Sequence, residues 1–325
     1  MDPQLPNDER KTLTESPLRV LVLAGGPDRE RPVSLLSGAT VAAALRQAGH
    51  ETIERDILPD KLDALDEFAA WHGHVIFPAL HGAWGEGGGL QTILDARHVR
   101  YVGCRSASAQ LCMDKTLTKT VLHRHGLPTP AWQLLNPTTH CTIAPPLVLK
   151  PPREGSSIDV VICRDDKQFN EARRELHTRH PELLAEAFVE GKEMTIGVLQ
   201  IPASGPARHE SLPPIQIIPA TDFYDYEAKY ERNDTRYLLD PAQIGLPPDL
   251  YSRLGTLAIA AHEALGCRHF SRVDIMVDHK LRPWILEDNT IPGFTSHSLL
   301  PMAAAHAGIP LPALVDRLVR LAAAE

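Results

Sequence analysis

Apolar positions along the chain gather in short continuous runs separated by glycine-rich turns and amphipathic stretches, the pattern of strands buried on both faces alternating with surface helices. Arg19-Val-Leu-Val-Leu-Ala24 is the first such run, and Gly25-Gly26 closes it. It predicts a buried parallel strand. A helix is predicted over 33–48, with Val33, Leu36, Val41, Ala44 and Leu45 on one face and Gly49 as its stop. The alternation continues with a strand over 52–57, a helix over 60–70, a strand over 74–80 running into a glycine-rich loop, a helix over 90–96 and a strand over 99–103. Residues 18–103 are therefore expected to form a parallel α/β unit. Residues 1–17 are polar and proline-bearing and are read as a flexible tail.

The pattern then changes. Two helices are predicted around 107–112 and 115–125, followed by a proline-rich link over 129–146 and strands over 147–150 and 158–163. Beyond Glu186, strands near 193–199, 214–219, 272–277 and 284–287 alternate with helices near 250–266 and 311–324. A long loop over 221–240 carries Phe223-Tyr-Asp-Tyr-Glu-Ala-Lys229-Tyr230, and loops of this length in compact domains are often active-site lids. The expected units are thus 18–103, a central one over 104–185 and a C-terminal one over 186–325, with no internal repeat.

Composition narrows the function. The 325 residues carry 33 Lys and Arg against 41 Asp and Glu, a formal charge of −8, which argues against nucleic acid as the main partner. The chain begins with neither a basic nor an apolar segment, and no later apolar run approaches the ~20 residues of a membrane span. A cytoplasmic protein handling small molecules is expected. The five cysteines show neither a Cys-x-x-Cys pair nor the spacing of a zinc site and are read as buried free thiols.

Neither G-x-x-x-x-G-K-[ST] nor G-x-G-x-x-G occurs, so a Walker ATPase and a standard dinucleotide dehydrogenase are set aside. Instead, Lys150-Pro-Pro-Arg-Glu-Gly-Ser156-Ser157 places a lysine at a strand end before a hydroxyl-rich turn, a combination that can cover phosphate oxygens. Arg272-Val-Asp274 and Glu287-Asp-Asn289 end two strand-like runs in oxygen ligands suited to Mg²⁺, each pair on one face by period-two spacing. Asn289-Thr-Ile-Pro-Gly293-Phe-Thr-Ser-His-Ser298-Leu299 offers a glycine for close backbone approach and a run of hydroxyls. Glu30 precedes a helix N-terminus, and His81 follows a buried strand at its carboxyl end, where α/β sheets bind ligands. Taken singly, each run also fits a plain structural role: a solvated hairpin, polar strand ends, a helix cap.

Taken in order, these runs, with Met113-Asp-Lys115, resemble the bacterial D-alanine–D-alanine ligases of the ATP-grasp superfamily from Arg19 to Ala323. The resemblance implies an α/β ATP-grasp fold: an N-terminal parallel α/β domain that binds substrate, a central mixed α+β domain and a C-terminal catalytic domain built on an antiparallel sheet. It implies that ATP phosphorylates the carboxylate of one D-alanine and that the amine of a second attacks the acyl phosphate, for peptidoglycan synthesis. By matching positions, Lys115, Lys150 and Lys229 face the phosphates, Glu186, Ala187 and Val189 the adenine, and Glu193 the ribose. Asp274, Glu287 and Asn289 match ligands of two Mg²⁺ ions, for which Mn²⁺ can substitute. Glu30 matches the group holding the first ammonium, Arg272 and Gly293 the oxyanion-stabilising pair, and Ser298 with Leu299 the second carboxylate pocket. Ser156 and Tyr230 join the lid to Glu30, and His81 stands near the substrates as base or orienter. A homodimer is implied. Asp28, Pro32, Ala83-Trp84 and Asp288 depart from the family pattern and bear on selectivity for the second substrate. The alternatives are a ligase for another second substrate, such as D-lactate or D-serine, or a degenerate ATP-binding module.

Overall fold

The run Val20-Leu-Val-Leu is wholly buried and forms β1 (Arg19–Gly25) at the centre of a parallel sheet, flanked by β2 (Glu51–Ile57) and β3 (Val75–Pro78). In this computed structural model, residues 16–202, 205–220 and 234–325 are described. Residues 1–15 of the tail expected over 1–17, and residues 221–233 of the lid expected over 221–240, with Lys229 and Tyr230, lie outside them. α1 (Arg31–Gln47) begins with Pro32 in its first turn, where the missing N–H costs nothing. Its buried face is set by Ser34, Ser37, Gly38, Val41, Ala42, Ala44 and Leu45, while Leu36 is exposed. Val41, Ala44 and Leu45 are buried as the apolar spacing predicts, but small residues let the helix approach the sheet closely along Ser34, Ser37 and Gly38, so the face is shifted and Leu36 falls outside it.

α2 (Asp63–Ala70) begins later than expected because Leu58 and Lys61 close a tight bridge before it. After β3 come α3 (Gly82–Gly85) and α4 (Gly89–Ala96). The strand expected over 99–103 is reduced to one parallel bridge between Ile76 and Tyr101. Its partner β3 is only four residues long and ends in a proline, which cannot donate to a ladder.

α5 (Ser106–Met113) and α6 (Lys115–Arg124) meet at Asp114, whose carboxylate accepts the N–H groups of Thr116 and Leu117 at 3.0 and 3.2 Å. An antiparallel sheet follows, in the order β4 (Trp132–Leu135), β7 (Leu183–Ala187), β5 (Leu147–Lys150), β6 (Val161–Cys163). α7 (Asp166–Leu176) covers it with Phe169, Ala172 and Leu176.

The last sheet runs β11 (Arg236–Leu238), β10 (Ile215–Ile218), β8 (Gly191–Ile201), β12 (Phe270–Asp278), β13 (Pro283–Asn289), with β9 (Arg208–Ser211) also paired to β8. All its pairings are antiparallel. The short α8 (Pro241–Ile244) leads into α9 (Pro248–Ala264), which packs on this sheet, and α10 (Leu299–His306) and α11 (Leu311–Ala323) close the chain. The fold class is thus α/β with one parallel and two antiparallel sheets, as the resemblance implied. One apolar cluster joins β1, β3 and α1 to α10 and α11, whereas the four-stranded sheet keeps a core of its own. All five cysteines are free. No single described helix is long and apolar enough to cross a membrane.

Candidate active site

β12 and β13 lie in antiparallel register with Arg272 opposite Asn289 and Asp274 opposite Glu287, so the four groups share one sheet face. Arg272 donates through Nε and one terminal nitrogen to the two oxygens of Asp274 at 3.0 and 2.8 Å. Thr195, on the neighbouring β8, donates its hydroxyl to the same carboxylate at 2.5 Å. Lys115 Nζ lies 3.3 Å from Glu287 Oε2 and donates to the Glu154 carbonyl at 2.8 Å. Three oxygen donors on adjacent strands, with cationic neighbours, fit a hard divalent cation carried in with phosphates.

This face opens into a chamber of about 440 Å³ between the four-stranded and the C-terminal sheets. Lys150, Glu186, Val189, Glu193, Asp274 and Glu287 all line it. Ala187 ends β7 with its N–H bonded to the Ala131 carbonyl at 2.9 Å and does not line the chamber. Glu186 is buried beneath two ammonium groups, Lys119 Nζ at 2.5 Å and Lys150 Nζ at 3.4 Å. Burial would raise its carboxyl, but the two lysines outweigh that and hold it below the ordinary range. Burial dominates for Lys119 and, only partly offset by Glu186, brings it down to about 8.

A smaller chamber of about 110 Å³ adjoins the first, and the two share Lys115, Gly155, Ser156 and Glu287 in their walls. Glu30 and His81, both buried, face it with Arg272, Gly293, Ser298 and Leu299. Ser156 donates its hydroxyl to Glu30. Ser156 and Ser157 sit at φ of +51° and +59°, the left-handed region that non-glycine residues seldom occupy and that clusters at ligand-binding turns. His81 Nε2 lies 3.3 Å from the Ser37 hydroxyl, which also accepts the Phe294 N–H at 3.3 Å. Burial pushes His81 down to about 4, so its imidazole is neutral at pH 7. At Gly293 a β-carbon would stand 2.6 Å from Ser298 Oγ, so only glycine allows this approach of backbone to hydroxyl. Ser298 Oγ in turn accepts the Thr295 N–H at 2.9 Å.

Glu86, Lys119 and Ser37 join the site although the sequence reading did not single them out as site residues. Glu86 is read there as part of a glycine-rich loop, yet its carboxyl is buried beside Glu30, with Nδ1 of His81 4.0 Å away. Burial, reinforced by Glu30, raises it to about 8. Trp84, by contrast, packs against the core cluster containing Leu21, Leu80 and Leu90 and lines neither chamber. Its backbone N–H donates to the Asp28 carboxylate at 3.1 Å, so two of the departures from the family pattern support each other. Asp288 lies opposite Val273, at the alternate position of β13 from Glu287 and Asn289, and borders the smaller chamber with them.

A family model described as D-ala D-ala ligase C-terminus matches residues 121–320. The chain is 41% identical over 312 residues to the D-alanine–D-alanine ligase of Marinobacter nauticus, covering 94% of this chain and 92% of that one. It is 39% identical to that of Bordetella petrii, covering 94% and 93%. Among solved structures, the Bacillus anthracis D-alanine–D-alanine ligase complexed with ATP superposes with a TM-score of 0.78 at 28% identity, covering 94% of this chain and 97% of that one. The VanG D-Ala:D-Ser ligase of Enterococcus faecalis superposes at 0.79 with 24% identity, covering 94% and 100%, which speaks for the fold alone.

Proposed function

The chain belongs to the D-alanine–D-alanine ligase family, and from that premise we propose that it is an ATP-dependent ligase joining two D-alanine molecules for peptidoglycan precursors. The observation that carries the reading is the pair of adjoining chambers, which meet at Lys115, Gly155, Ser156 and Glu287. A nucleotide in the larger chamber presents its terminal phosphate at that junction to a carboxylate held in the smaller one.

In this reading Lys115, Lys150 and Lys229 neutralise the phosphates, Glu186 and Val189 edge the adenine, with Ala187 in the strand end between them but off the chamber wall, and Glu193 takes the ribose. Asp274, Glu287 and Asn289 would hold two Mg²⁺ ions, exchangeable for Mn²⁺. Such ions, when bound, neutralise triphosphate charge and polarise the transferring phosphoryl group. Glu30, an acceptor-only carboxylate, holds the first D-alanine's ammonium, and Ser156 with Tyr230 ties the lid to it. The carboxylate of that substrate attacks the γ-phosphate, giving an acyl phosphate and ADP. The second D-alanine, its carboxylate at Ser298 and Leu299, then attacks the carbonyl with its amine, and phosphate leaves. Arg272 and the Gly293 N–H stabilise the oxyanion that forms. His81, being neutral, can accept a proton or a hydrogen bond from the incoming amine.

Both substrates are small molecules; the protein is a cytoplasmic homodimer with neither nucleic acid nor membrane as partner. Its units are a tail over 1–17, the N-terminal substrate domain over 18–103, the central domain over 104–185 and the catalytic domain over 186–325. Phosphate release measured with ATP and Mg²⁺ should depend on D-alanine. Release without that dependence would sink the ligase reading and leave a nucleotide-binding module. Competition between D-alanine and D-lactate at neutral pH tests the second substrate: Tyr230, where depsipeptide makers commonly carry Phe, favours the dipeptide.

A further inference from the structure

Under the floor of the smaller chamber lies a second set of chemically active side chains that the ligase chemistry does not use. His262 in the last turn of α9, Cys267 in the following turn and Asp288 in β13 are all buried, and a ring nitrogen, the thiol sulfur and a carboxylate oxygen lie within 4.8 Å of one another. Cys112, from α5, brings a second sulfur to 3.6 Å from that of Cys267. Cys267 Sγ is 3.6 Å from Asp288 Oδ2, and His262 Nδ1 is 2.7 Å from the Ser271 hydroxyl. We propose that His262, Cys267 and Asp288, with Cys112 beside them, form a binding site for a soft divalent cation of the Zn²⁺ class.

Three independent features support this. First, the backbone builds the site: Gly266, at φ +66°, ends α9 in a left-handed turn whose Cys267 N–H bonds back to the His262 carbonyl at 2.9 Å. That turn brings residues five apart in sequence into one ligand set. Second, His262 Nε2 and Asp288 Oδ1 are buried polar atoms with no hydrogen-bond partner among the described residues. Such atoms are costly to leave unpaired in a protein interior, and a bound cation is one way to satisfy them. Third, tetrahedral zinc with Zn–S bonds of about 2.3 Å holds two sulfurs ~3.8 Å apart, close to the separation present. Thiolates and imidazole select zinc over Mg²⁺, so the site does not compete with Asp274, Glu287 and Asn289 for the same ion. Loading replaces the protons of the two thiols by one cation and releases them to solvent. Cys112 and Asp288 also line the smaller chamber, which supplies the path of entry.

The inference does not rest on the ligase reading. Its test is Co²⁺ added to the reduced, chelator-stripped full chain in excess Mg²⁺, which keeps the oxygen site occupied. One equivalent should produce the thiolate-to-cobalt charge-transfer band and the strong visible bands of tetrahedral cobalt. Zn²⁺ should abolish both by displacement. Cys267→Ser and His262→Gln should each weaken binding about tenfold or more, while Cys141→Ser, at a thiol outside the cluster, should leave it unchanged. On the unaltered chain, equimolar Zn²⁺ but not Mg²⁺ should raise Tm, and a chelator should reverse the rise. Failure of cobalt to give the charge-transfer band, its persistence in Cys267→Ser, or a Tm indifferent to Zn²⁺ would each overturn the proposal.

Discussion

Glu86 shows how burial sets the behaviour of a single residue in this site. Its carboxyl is pushed up to about 8, while in the unfolded chain it ionises near 4.5. The folded state therefore holds a proton between those values that the unfolded state has released, so this group's contribution to stability is full at pH 4 and is lost as pH rises through 8. Replacing it with the neutral Glu86→Gln removes the loss. In metal-free buffer, the unfolding free energy of that variant relative to the parent should rise steadily from pH 5 to 8, by up to about 1.4 kcal/mol per pH unit, with Tm moving the same way, and a flat difference would contradict the assigned protonation. Arg272 gives a second prediction. Arg272→Met should lower kcat by about 10²–10³, seen in phosphate release, and should frustrate Asp274, which loses its paired donor. Glu30, His81, Arg272 and Asp274 were legible in the sequence because each stands in a short contiguous run. Glu86 was not, because its neighbours are glycines and its raised carboxyl comes from burial near Glu30, over fifty residues away.

Two elements extend the argument from residues to segments. The turn from 290 to 298 brings Gly293 against Ser298, and Gly293→Ala would drive a methyl group to 2.6 Å from that hydroxyl. We expect the substitution to impair turnover far more than stability, read as a large fall in kcat/KM with Tm nearly unchanged; a normal kcat/KM would remove Gly293 from the site. The buried ions Lys119, Lys150 and Glu186 tie α6 to β5 and β7. Lys119→Met leaves Glu186 with one partner and should cost about 2–4 kcal/mol in denaturant unfolding. Strands with unbroken apolar runs, such as β1 and β5, were predicted close to their observed bounds. β4 and β7 were missed because Gln133 and Glu186 interrupt their short apolar runs. α7 was missed because Asp166-Lys-Gln-Phe-Asn-Glu-Ala-Arg-Arg-Glu-Leu176 is polar apart from the three residues it buries.

Across the whole molecule, the first and last parts of the chain share one core. α11 sets Leu314, Val315, Leu318 and Val319, all fully buried, against the cluster that also holds β1 and α1. At about 1.5–3 kcal/mol each, these four side chains rival the ~5–15 kcal/mol net stability of a typical domain. A chain ended after Gly308 should therefore lose the N-terminal unit as well as the helix, with loss of cooperative unfolding by circular dichroism. Survival of a native-like N-terminal unit would show the two cores to be independent. The sequence by itself determined the α/β class, the order of the main elements and the runs that carry the ligase chemistry, because buried-strand patterns and short motifs are properties of contiguous residues. Only the tertiary structure decided that Leu36 leaves the buried face of α1 and Ser34, Ser37 and Gly38 join it, that Glu86 and Lys119 enter the site, and that Cys112, His262, Cys267 and Asp288 meet. Those facts depend on packing between segments distant along the chain, and local periodicity carries no record of such distances.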